Sequence, residues 1–133
     1  MSLLAPLVAA FLAAAPPAVI VREADVARQE VPPHQGVGMS TAYRMSDAAP
    51  GRNFEFRKRV LHPGASIGLH VLSHDEVYYV MSGTGVVTSD GREYPVEAGT
   101  AAYLYEGADV GIRQTGAEPL VLIIAYPLKE RVK

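Results

Sequence analysis

From residue 63 onward, turn-forming residues divide the sequence into pieces too short for helices. Pro63-Gly64, Ser73-His74-Asp75, Ser82-Gly83-Thr84-Gly85, Asp90-Gly91, Glu97-Ala98-Gly99, Glu106-Gly107-Ala108-Asp109 and the turn from Thr115 to Pro119 stand at close intervals. Glycine supplies the backbone angles that tight turns need, proline stops helices, and Asp-Gly is the strongest short hairpin signal. The segments between them are rich in β-branched and aromatic residues, as in Val77-Tyr78-Tyr79-Val80 and the apolar run at 120–126. Short strands at this spacing predict an all-β sandwich or barrel, and leave no room for alternating helices and strands.

Further strands are expected at 18–22, 38–45, 54–61, 86–88, 92–96, 100–105 and 110–114, with 23–30 as a polar connection and 120–126 as a strand buried on both faces. In 54–61, alternation puts Phe54, Phe56, Lys58 and Val60 on one face, and Glu55, Arg57, Arg59 and Leu61 on the other. The basic run 57–59 reads as a solvated strand edge. In a second reading, one of these residues reaches the barrel mouth and holds an anion.

The chain has 133 residues, a net charge of −2 and no cysteine. It is long enough for one domain. It has no basic excess to attract nucleic acid, and disulfides and thiolate chemistry are excluded. Residues 3–15 form an uncharged apolar run ending at Pro16-Pro17. That run is too short to span a membrane, so no membrane partner is expected. It suits either the core of a secretory signal or a short N-terminal helix docked on the barrel. The expected division is therefore 1–17 as an apolar segment and 18–133 as the barrel, in a cytoplasmic or an exported protein.

The residues with most chemical content lie between Gly64 and Gly85. His70 and Leu72 share strand parity, as do Glu76, Tyr78 and Val80. A turn at 73–75 would bring the imidazole of His70 and the carboxylate of Glu76 to face each other inside the fold. These two are the candidate catalytic pair, able to transfer a proton. Tyr78 and Tyr103 are candidate pocket residues, with a core role as the competing reading. His34 and His62 read as loop histidines, and Arg113 and Gln114 as strand surface.

Gly64, His70, Glu76 and Gly83 resemble the first motif of the cupin family, in which a glycine, His-x-His, a glutamate and a second glycine recur at fixed spacing. Gly91, Pro95 and Gly99 loosely continue the pattern, and 110–114 occupies the place of the second motif. The resemblance covers about 36–126. It implies a double-stranded β-helix, or jelly-roll barrel, often paired as a homodimer around a small-molecule ligand. The family's full site offers three histidines and a glutamate to a divalent metal. Here Leu72 and Val110 stand at two histidine positions, leaving His70 and Glu76, with His74 as a third candidate ligand or a solvent-facing turn residue. Leu72 and Val110 make that side of the pocket apolar. The resemblance thus implies a small-molecule barrel, either an oxygenase- or isomerase-type enzyme carrying a weakly held Mn, Fe, Ni or Zn, or a non-catalytic binding barrel that has lost its metal.

Overall fold

The computed structural model describes residues 14–133. The apolar run expected as a leader or a docking helix therefore lies mostly outside the described residues. Residues 14–22 have no regular structure, and 14–20 are exposed. The strand expected at 18–22 does not form. The first elements fall instead in the segment expected to be a polar connection, as a single helical turn, α1 (Glu23–Val26), and the strand β1 (Ala27–Glu30). Ionic contacts outweigh β-propensity here, because Glu30 at the end of β1 is a partner for two arginines on the neighbouring strands.

The remaining strands are β2 (Ser40–Arg44), β3 (Phe54–Leu61), β4 (Ser66–Val71), β5 (Glu76–Ser82), β6 (Thr84–Ser89), β7 (Arg92–Glu97), β8 (Ala101–Leu104), β9 (Asp109–Thr115) and β10 (Leu120–Pro127). They make two antiparallel sheets, ordered β1-β2-β3-β10-β5-β8 and β4-β9-β6-β7. This is the expected jelly-roll barrel, a double-stranded β-helix with one very short helix. Among the described residues, no helix is long and apolar enough to cross a membrane.

One core lies between the sheets. Leu61, Val80, Leu120 and Leu122 face it from the larger sheet, and Val87, Val110 and Ile112 from the smaller. β10 is buried on this face only, since Val121 and Ile123 on its other face are half-buried. An apolar strand in a sheet uncovered on its outer side keeps one face near water.

Gln114 is the other departure on the scaffold. It was read as surface, but it is buried. Its side-chain oxygen accepts from the Gly64 N–H at 2.8 Å, and its NH₂ donates to the carbonyls of Thr115, Gly116 and Glu118 at 3.0, 2.9 and 2.7 Å. One amide thus ties the turn before β4 to the turn after β9. Gln114→Ala would leave these backbone groups without their partner. Urea denaturation should show a loss of about 1–3 kcal/mol. A change below about 0.5 kcal/mol would mean water replaces the amide without cost.

Candidate functional site

β4 and β5 are consecutive in sequence but lie in opposite sheets. The chain crosses the barrel mouth between them, and this crossing brings His70 and Glu76 to one pocket. A bulge completes the placement of His70. Ile67 pairs with Ile112 and His70 with Val110, so β4 has one more residue than β9 across this interval. The extra residue shifts the strand's parity, and Ile67, His70 and Leu72 all line the pocket.

The loop that carries His34, expected only as a loop without a partner in the site, packs against this bulge. The Gly68 N–H donates to the Pro33 carbonyl at 3.2 Å, and Val37 bridges Ser66. Gly68 has to be glycine, because a Cβ there would stand 1.8 Å from the His34 carbonyl oxygen. His34 and Gln35 are both left-handed, at φ 60° and 58°. In this conformation the His34 ring stacks on His70, with centroids 3.5 Å apart and planes 6° from parallel. Burial, reinforced by the neighbouring His70 and Arg59, pulls His34 below the usual imidazole range. The two residues are far apart in sequence, and the only clue to their contact was a glycine inside a strand pattern.

The charged face of β3 forms another wall. β3 is an interior strand of the larger sheet, and Glu55, Arg59 and Leu61 are buried while Phe54 and Phe56 are exposed. The reading of 57–59 as a solvated edge is thus corrected: Arg57 and Arg59 line the pocket, with Arg44 beside them from β2. Arg59 is 3% exposed. It donates to Ser40 Oγ at 2.9 Å and to Glu30 Oε1 at 3.2 Å. Glu30 also takes a bidentate pair from Arg44 at 2.6 and 3.2 Å. Burial pulls the Arg59 guanidinium below its usual range, and Glu30 opposes that pull. Arg57 lies over the Tyr126 ring, 5.6 Å from its centroid, and reaches Glu55 at 3.5 Å, and Glu55 is held more closely by Arg52 at 2.9 Å.

Glu76 is 6% exposed. Burial raises its pKa to about 7 despite the opposing charge of Arg57. Tyr78 beside it is buried, and burial followed by Glu76 pushes its phenol up, so it stays protonated. His74 lines the same pocket, its ring stacked on Tyr126 at 4.1 Å and its Nδ1 3.0 Å from the Asp75 carbonyl. Val110 lies in the core opposite His70. Tyr103 is placed elsewhere. It is 57% exposed and donates to Asp75 at 2.6 Å, outside the mouth pocket. His62 stays remote, bonded to Thr41 Oγ1 at 3.0 Å.

Among the described residues, no three His, Asp or Glu side chains are grouped to hold a metal ion. With alkyl groups at 72 and 110, this donor set does not fit a resident divalent ion, which normally takes at least three protein ligands.

A sequence model of the cupin domain matches residues 58–126, more than half of the chain. The chain belongs to the cupin family. It is 36% identical over 62 residues to an oxalate-binding protein of Thermotoga maritima, covering 46% of this chain and 51% of that one. The matched stretch is thus about half the length of that curated relative. Among solved structures, a predicted oxalate decarboxylase from Thermotoga maritima superposes with a TM-score of 0.73 at 25% identity, covering 83% of this chain and 99% of the other. A cupin 2 conserved barrel domain protein from Salinispora arenicola gives 0.60 at 26% identity, over 68% and 76% of the two chains.

The buried carboxyl has a thermodynamic consequence. The folded state holds the Glu76 proton up to about pH 7, whereas the unfolded chain releases it near 4.5. Stability from this group is therefore full below 4.5 and is lost as pH rises through 7. The difference amounts to about 3 kcal/mol. Glu76→Gln, which does not titrate, should gain that much on the wild type between pH 4.5 and 8 in denaturant melts. Parallel pH curves for the two proteins would contradict a buried, ionisable Glu76.

Proposed function

We propose that this barrel binds a small carboxylate anion in its mouth pocket, held by arginine side chains rather than by a resident metal. The observation that carries the reading is the inward charged face of β3. Arg44 and Arg59 share the single carboxylate of Glu30, and the Arg57 guanidinium has a long contact to Glu55 and lies over the Tyr126 ring. Guanidinium donors in a partly desolvated pocket attract planar oxyanions through paired N–H groups. The pocket is small, about 260 Å³. That is near or below the low end of ordinary ligand cavities, which favours a ligand of few atoms.

The relatives' names point to the same chemical class. One is called an oxalate-binding protein and the other a predicted oxalate decarboxylase, and oxalate is a small carboxylate. The resident-metal oxygenase or isomerase reading has less support, because Leu72 and Val110 occupy positions where a metal would need donors. Proton transfer by His70 and Glu76 on a bound carboxylate is compatible with the binding reading and needs no further residue.

Calorimetric titration with oxalate, glycolate and acetate at low ionic strength should show saturable binding of at least one of them. Arg57→Gln should weaken that binding about tenfold or more, the scale of a lost charge-assisted pair. Binding that ignores Arg57→Gln, or no binding of any carboxylate, would remove this function.

A further inference from the structure

Among the described residues, two buried side-chain polar atoms have no hydrogen-bond partner, Arg57 Nε and Glu76 Oε2. Both residues line the mouth pocket. Unpaired buried polar atoms are rare in folded proteins because each forfeits its hydration, and a ligand seated deeply enough to reach both would relieve that cost. Their polarities differ. Arg57 Nε–H only donates, and an ionised Glu76 only accepts. His70 adds a second acceptor. Its Nδ1 lies 2.9 Å from the Gly68 carbonyl, which can only accept, so in the neutral ring Nδ1 carries the hydrogen and Nε2 the lone pair.

We infer that the preferred ligand is a small hydroxycarboxylate, its carboxylate paired with Arg57 and its hydroxyl donating to Glu76. The inference rests on the anion-binding function proposed above and narrows its ligand class. A fully ionised dicarboxylate has acceptors only. It would satisfy Arg57 but leave Glu76 and His70 facing lone pairs, with the Glu76 charge repelling the second carboxylate. A simple monocarboxylate would satisfy Arg57 and leave Glu76 unpaired. A carboxylate with an O–H on the next carbon offers both polarities in very few atoms. Leu72, which lines the same pocket, provides an apolar surface for the ligand's carbon side.

Glycolate and acetate differ by one hydroxyl, and oxalate replaces that hydroxyl carbon with a second carboxylate. Isothermal titration of all three at pH 8, where Glu76 is ionised, should rank glycolate tightest. Its margin over acetate should be about tenfold or more, as for a hydrogen bond to a charged group. In Glu76→Met, with folding checked by its melting curve, the glycolate-to-acetate ratio should fall to within about twofold, while Glu76→Gln, which keeps an acceptor oxygen, should retain part of the preference. If the Met variant does not fold, the wild-type ranking and the Gln variant still decide the matter. Equal binding of glycolate and acetate, or tighter binding of oxalate than glycolate, would overturn the hydroxycarboxylate inference and leave anion binding intact. Failure of all three to bind would overturn both.

Discussion

A guanidinium withdrawn from water on an interior strand is the constraint that organises one side of this barrel. Arg59 is almost fully buried. A buried charge without partners costs several kcal/mol, so the surrounding structure must supply an anion and oxygen acceptors. Glu30 and Ser40 do so, and Ser40 Oγ in turn donates to the Glu30 backbone carbonyl. This need accounts for β1, a short polar strand with little propensity of its own. It also leaves Glu30 divided between two arginines, so the guanidinium donors of the mouth follow from the way the wall is built.

The fold was legible because its turns are spelled out. The strands from β2 to β10 lie where glycine and proline punctuation leaves room for them, and the alternation in β3 sorted its two faces correctly. Alternation does not say which face is inside, however. Hydrophobicity would turn Phe54 and Phe56 inward, yet both are exposed, because the inner face of β3 borders the mouth and its charges find partners there. Gln114 was misread for a related reason. An amide on a strand looks like surface until the turns it bonds, at Gly64 and at 115–118, are seen to converge on it.

The candidate site was legible only in part. His70 and Glu76 stood out by motif and spacing, and a bulge together with a sheet-crossing turn brings both to one pocket. His34 and the arginines reach the pocket through long-range packing that strand parity cannot express. His34 is positioned by a left-handed turn resting on Gly68, a contact between chain segments remote in sequence. In this cupin alkyl groups stand at two metal-ligand positions, Leu72 lining the pocket and Val110 buried in the core, while arginine, glutamate and histidine are the pocket's polar side chains. An anion in such a pocket meets fixed guanidinium donors.

The most direct test is to follow the arginine Nε–H resonances by NMR while a small carboxylate is added to protein freed of metal with EDTA. Saturable movement of the Arg57 signal, unchanged when Mn or Zn is restored, is the predicted result. Arginine signals that stay still until metal is returned, with binding appearing only then, would contradict an anion site built from the protein's own cations.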